Sequence, residues 1–189
     1  MAAFERLCMK LKAKLMVALG AAAAVVVLIA GTGFAALNKN LEAPNFKAKT
    51  VAGKQFELKD LRGRVVLLDF WATWCPPCRM EAPAIDKLWR TYKDKGLVVV
   101  GVALESGGPA QVKKFAEDNG LTYRLVADES GDIAKSYKIS PIPTTYIVDA
   151  KGVIRQVHIG FGPGAEKDFE KEIKALLPTP EQLKNLKPL

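Results

Sequence analysis

The sequence has little cysteine and almost no histidine: three cysteines, Cys8, Cys75 and Cys78, and one histidine, His158, in 189 residues. A disulfide-stapled scaffold needs several spaced cysteine pairs, so that class is excluded. A zinc site of the usual kind needs four nitrogen or sulfur ligands, which one close cysteine pair and a lone distant histidine do not supply. Also missing is any basic helix or any stripe of lysine and arginine interleaved with aromatics. The net charge is +8, yet Arg6, Lys10, Lys12 and Lys14 cluster in the opening segment against Glu5 alone. The remaining excess is scattered among acids, so the balance points to an anionic membrane surface and not to nucleic acid. No internal repeat is present.

Charge is absent altogether from residues 15–37. At about 1.5 Å per residue, a helix of that length crosses a hydrocarbon core of roughly 30 Å. No face of the run is polar, which is not the pattern of a helix packed into a soluble core. The basic residues ahead of it predict a cytoplasmic tail over residues 1–14 and translocation of everything after Asn38. A signal peptide cleaved near Gly33-Phe34-Ala35 is the competing reading. The length of the run favours an uncleaved transmembrane anchor. Cys8 then lies on the cytoplasmic side, apart from the chemistry expected beyond the anchor.

Residues 38–43 read as a linker, residues 44–177 as one compact domain, and residues 178–189 as a loosely attached, proline-punctuated extension. A domain of roughly 135 residues buries about two thirds of its unfolded surface and needs no structural disulfide. Residues 46–51 and 55–58 flank Ala52-Gly53 as a hairpin. The nearly unbroken apolar run 65–71 suits a strand covered on both faces. Ala82, Ile85, Leu88, Trp89 and Tyr92 follow at helical spacing, until Lys95-Gly96 ends the helix. Residues 97–104 and 123–126 read as strands, and residues 110–119 and 133–137 as helices. Residues 144–148 and 153–159 form a second hairpin, and residues 165–177 an amphipathic closing helix. Strands alternating with helices and ending in a hairpin give an α/β fold with a mixed sheet.

Cys75 and Cys78 fall between the strand 65–71 and the helix after it. Pro76 and Pro77 have no backbone N–H and are tolerated best in the first turn of a helix. Cys75 therefore sits at or just before a helix start, where unpaired amides and the macrodipole favour a thiolate. Cys78, one turn on, lies within disulfide reach. Exposed Cys75 is expected to attack a substrate disulfide, and Cys78 to resolve the mixed disulfide. A cysteine pair alone is also compatible with half a metal site.

The stretch Asp69-Phe70-Trp71-Ala72-Thr73-Trp74-Cys75-Pro76-Pro77-Cys78-Arg79-Met80-Glu81-Ala82-Pro83 resembles the active-site segment of the thioredoxin superfamily. It is similar in particular to the membrane-anchored branch typified by the TlpA and ResA proteins. The resemblance covers nearly all of residues 44–177 and includes Ser140-Pro141-Ile142-Pro143-Thr144-Thr145-Tyr146. It implies a thioredoxin-like fold with an N-terminal β-hairpin and a βα insert around residues 104–126. Cys75 matches the nucleophile, Cys78 the resolving cysteine, and Pro143 a proline that is cis in this superfamily. A cis peptide there keeps the Ile142 backbone beside the sulfurs, where it pairs with an extended substrate segment. Trp74 matches an apolar contact surface over the sulfurs, and Pro83 a structural proline in the helix.

Asp69 matches a carboxylate that assists deprotonation of the resolving thiol. It lies in an otherwise apolar strand, so burial and a raised pKa are expected. Members of the ResA branch carry a neutral residue at this point in some cases. Glu81 matches an acid near the active site in that branch, and a solvated place on the helix surface is the alternative for it.

The resemblance implies an extracytoplasmic thiol–disulfide oxidoreductase, held by a single span in a bacterial inner membrane and needing no cofactor or metal. It implies protein substrates such as apocytochrome c or copper-site cysteines, and electrons from a membrane thiol donor of the DsbD or CcdA type. Three other readings stay open. A general disulfide oxidant uses the same pair, because sequence does not fix a reduction potential. A copper chaperone would use the two soft sulfurs. A peroxidase shares the fold, although Ala72-Thr73-Trp74 is not a peroxidase lead-in.

Overall fold

In the computed structural model, residues 36–104 and 107–188 are described. The apolar stretch expected to form the anchor lies outside them except for its last two residues. No helix among the described residues is long and apolar enough to cross a membrane.

Strand β3 (Val65–Trp71) is buried at every position, as an apolar run covered on both faces requires. It is the middle strand of a five-stranded sheet of order β5-β4-β3-β6-β7. Strand β4 (Leu97–Ala103) pairs with it in parallel and β6 (Thr144–Val148) antiparallel. Strand β5 (Arg124–Ala127) extends the parallel side, and β7 (Ile154–Ile159) extends the antiparallel side. The mixed sheet expected from the sequence is therefore present. The hairpin of β1 (Lys47–Lys49) and β2 (Gln55–Glu57) stands apart as a small antiparallel sheet.

Alternate residues of β3 feed two cores. Val65, Leu67 and Trp71 belong to a cluster with the two cysteines. That cluster is covered by α1 (Pro76–Tyr92), α2 (Gly108–Asn119) and α4 (Ala165–Leu176). Val66, Leu68 and Phe70 face the second cluster, with Phe46, Leu58 and Leu61 from the hairpin region. Tyr137, which follows α3 (Asp132–Ser136), joins them there. Helix α1 ends through a short 3-10 turn at Gly96, whose φ of 96° suits glycine.

Two expectations at the domain boundaries fail. Residues 38–43 are not a free linker, because Asn40 N–H donates to the Ile154 carbonyl and Ala43 N–H to the Gly152 carbonyl. Just ahead of them, Leu37 N–H donates to the Tyr146 hydroxyl. The C-terminal extension is docked, not loose. Thr179 and Gln182 form a reciprocal capping box on α5 (Pro180–Lys184). Pro178 and Leu183 lie over Gly96, and Leu186 lies over Gly63. The reason is tertiary: two glycines already required by turns leave hollows that these apolar side chains fill.

Gly101 of β4 is the cross-strand partner of Asp69. A Cβ there would stand 2.8 Å from Leu125 Cδ2 and 3.0 Å from both Trp71 Nε1 and Tyr123 Cε2. Gly101→Val is therefore expected to overpack this spot and to lower stability by about 1–3 kcal/mol. Thermal unfolding checks this, and an unchanged Tm would show that the hollow has slack.

Candidate active site

The turn leaving β3 sets both sulfurs. Cys75 N–H donates to the Ala72 carbonyl over 3.2 Å, which closes the turn. Cys75 then caps α1 in an extended conformation (φ −87°, ψ 112°), with Pro76 as the first helical residue. Because Pro76 and Pro77 carry no N–H, the first amide able to meet the cap is that of Cys78. It donates to Cys75 Sγ at 3.4 Å. The two cysteines form a disulfide with their Cα atoms 5.3 Å apart.

Cys75 does not have the exposure expected of it: it is 3% exposed, and Cys78 is 1% exposed. Both cysteines belong to the core cluster that contains Trp71 and Ala72, with Ile142 packed against it, and this tertiary packing is not recorded in the local sequence. What reaches solvent are the neighbours Trp74, 63% exposed, and Met80, 62% exposed. The Ile142–Pro143 peptide is cis, as expected. The Ile142 carbonyl oxygen lies 3.9 Å from Cys75 Sγ. The structure thus brings Trp74, Cys75, Cys78, Ile142 and Pro143 to one end of the sheet.

Asp69 and Glu81 sit behind the sulfurs. Asp69 alternates with Leu67 and Trp71 on the α1 side of β3, and Glu81 follows Cys78 by three residues, on a neighbouring position of the helix. Glu81 is fully buried, so the solvated alternative for it is overturned. Its Oε1 accepts a hydrogen bond of 3.0 Å from the Thr145 hydroxyl. Asp69 is buried and lies opposite Thr145 across the β3–β6 pair. Burial, then the nearby Glu81 charge, hold the Asp69 proton on well above the usual carboxyl range. Burial pushes Glu81 up to about 7, against the Thr145 hydrogen bond. The two titrate as a pair, and the charge of one opposes ionisation of the other.

Sequence reading did not single out four other groups around this pair. Gly101 makes the space beside Asp69. Asp69 Oδ1, Glu81 Oε2, Trp71 Nε1 and the Tyr123 hydroxyl are buried with no hydrogen-bond partner among the described residues. The Tyr123 proton is held on by burial and by the neighbouring acids. Thr145 lay within the quoted Ser140–Tyr146 motif, but its partner Glu81 is distant in sequence. Among the described residues, no group of three or more His, Cys, Asp and Glu side chains is arranged to hold a metal ion.

A redox-active cysteine pair at a helix start, on a mixed sheet with helices on its flanks, defines a thioredoxin-like thiol–disulfide oxidoreductase. The chain belongs to the AhpC/TSA family, which it matches over residues 40–157. It is 42% identical over 139 residues to the thioredoxin-like protein YneN of Bacillus subtilis, covering 72% of this chain and 79% of that protein. It is 36% identical over 138 residues to the thiol-disulfide oxidoreductase ResA of Bacillus thuringiensis, covering 72% and 78%. A Chlorobium tepidum structure put forward as the thiol:disulfide interchange protein DsbE superposes with a TM-score of 0.70 at 33% identity, over 74% of this chain and 98% of that one. A second Chlorobium tepidum structure, a thiol:disulfide interchange protein of the thioredoxin family, gives 0.65 at 30% identity, over 75% and 99%.

The raised Glu81 pKa fixes the sign of a pH effect. Between about pH 4.5 and 7 the folded chain holds a proton that the unfolded chain has released. Stability therefore falls as pH rises through this window. Glu81→Gln removes the ionisation, so the oxidised variant should match the parent near pH 4, below that window. At pH 8 it should be more stable, by on the order of 1–3 kcal/mol. Urea unfolding at the two pH values checks this, and a difference independent of pH would contradict it.

Proposed function

We propose that this protein is an extracytoplasmic disulfide reductase in which Cys75 attacks and Cys78 resolves. The observation that carries the order of attack is the position of Cys75 as the cap of α1, with the Ile142 carbonyl 3.9 Å from its sulfur. At a helix N-terminus, unpaired amides and the macrodipole stabilise an anionic sulfur. Cys78 lies inside the first turn of α1, behind the capping residue, so a substrate meets Cys75 first. Ile142 supplies backbone to pair with an extended substrate segment, and exposed Trp74 supplies an apolar contact beside it.

In this mechanism the Cys75 thiolate attacks one sulfur of the substrate disulfide, and the other substrate sulfur leaves with the bonding electrons. Cys78 must then lose its proton to attack Cys75 Sγ and release the second substrate sulfur. The base for this step is the buried carboxyl pair, in which Glu81 lies one helical turn beyond Cys78. Substrate gains two electrons and two protons, and the protein is left as the Cys75–Cys78 disulfide.

The same carboxyl pair supports the reducing direction of exchange. A strong oxidant owes its potential to a stabilised thiolate in its reduced form. A buried acid behind the sulfurs works against that thiolate, which favours the reductant over the oxidant reading. For location, the reading rests on the uncharged residues 15–37 behind a basic tail. Relatives named ResA and DsbE support oxidised proteins as the substrate class. Within it, apocytochrome c and copper-site cysteines are the candidates, with a membrane thiol donor of the DsbD or CcdA type.

Trapping tests the mechanism. Cys78→Ser should accumulate substrate proteins in mixed disulfide with Cys75, and Cys75→Ser should trap none and lose at least about a hundredfold in disulfide reduction. Reduction at the parent rate by Cys75→Ser would overturn the assignment. Equilibration with glutathione should return a strongly reducing potential.

A further inference from the structure

Cys78 cannot turn over unless the proton it loses leaves a dry core, and Asp69 and Glu81 have no direct opening to solvent: they are 2% and 0% exposed. The sheet offers one line of polar side chains from this pair toward its edge. Asp69 of β3 pairs across the sheet with Thr145 of β6, and Thr145 pairs with His158 of β7. Cross-strand partners stand about 5.5 Å apart at Cα or closer, and their side chains share one face. That face is the one bearing the cysteines, because His158 packs edge-on against Phe169 of the same core cluster at 4.9 Å. The Thr145 hydroxyl already bonds Glu81 at 3.0 Å. At the far end, His158 Nε2 lies 2.7 Å from Glu172 Oε2 of α4. Both of these side chains reach solvent, with exposures of 25% and 20%.

Building on the order of attack proposed above, we infer that Thr145, His158 and Glu172 form the proton exit from the buried carboxyl pair. When Glu81 takes the Cys78 proton, its new O–H faces the Thr145 oxygen, and the hydroxyl turns its own hydrogen toward His158. A hydroxyl both accepts and donates, so it passes a proton on without holding charge. The imidazole, whose two ring nitrogens can accept on one side and donate on the other, hands it to Glu172 Oε2, which reaches solvent. Each step moves one proton and no electrons. The sulfur that loses the proton keeps its electron pair and spends it on the bond to Cys75 Sγ. Along the route Asp69, Glu81 and Glu172 are carboxyl groups, and burial keeps the proton on Tyr123 beside the buried pair.

The His158–Glu172 pair also ties α4 to β7, so the test must separate proton transfer from support. Stopped-flow reaction of the reduced protein with the chromogenic disulfide 5,5′-dithiobis(2-nitrobenzoate) releases one aryl thiol on attack and a second on resolution. His158→Asn should leave the first phase unchanged and slow the second about tenfold or more. Millimolar imidazole should restore it. Thr145→Val should slow the second phase likewise, and Thr145→Ser, which keeps the hydroxyl, should stay close to the parent. A His158→Asn second phase at the parent rate, or one slowed without imidazole rescue, overturns the proton exit. Failure of the underlying order of attack looks different: Cys75→Ser would then keep the fast release of the first aryl thiol, and Cys78→Ser would lose it.

Discussion

The start of α1 is the constraint on which the site depends. Two prolines in succession leave the helix without its first two amide donors, so the Cys78 amide is the first to face the capping residue, and that residue is Cys75. A sulfur in that place is both the helix cap and one half of the redox pair. The cap is held from below by β3, which is buried at every position, and is met from the side by the Ile142 backbone. Moving either element would separate the two sulfurs from the surface that a substrate strand must reach.

The same architecture imposes a cost behind the sulfurs. A row of valines and leucines is interrupted by Asp69, and the helix above contributes Glu81, so two acids share one low-dielectric space. They are tolerated because burial keeps protons on them, and because Thr145 supplies a hydrogen bond. Gly101 adds to this by withholding a side chain where Trp71, Tyr123 and Asp69 converge. Departures from an all-apolar core at one place, beside a redox pair, are the pattern expected of a site built for proton transfer.

Much of this was legible in the chain. The strand Val65–Trp71 could be read because burial on both faces leaves an unbroken apolar run, and the helix after it because its apolar residues recur at helical spacing. Cys75, Cys78 and Pro143 could be read from short motifs. The burial of Cys75 and of Glu81 could not, since each depends on which distant element covers it. Thr145 and His158 acquire meaning only through the β3-β6-β7 register, and no local pattern encodes that pairing. The docked ends were hidden for a similar reason. Residues 38–43 resemble a linker until Gly152 and Ile154 offer backbone partners, and the tail resembles a loose extension until Gly63 and Gly96 offer hollows.

In the proposed mechanism the two sulfurs differ in kind, Cys75 as the reactive thiolate and Cys78 as a thiol kept protonated until the mixed disulfide forms. Timed alkylation of the reduced protein at neutral pH, with the modified residue located by mass spectrometry, tests this most directly. Cys75 is expected to be alkylated first, with Cys78 lagging by at least about an order of magnitude. Equal rates at the two cysteines, or faster modification of Cys78, would contradict it.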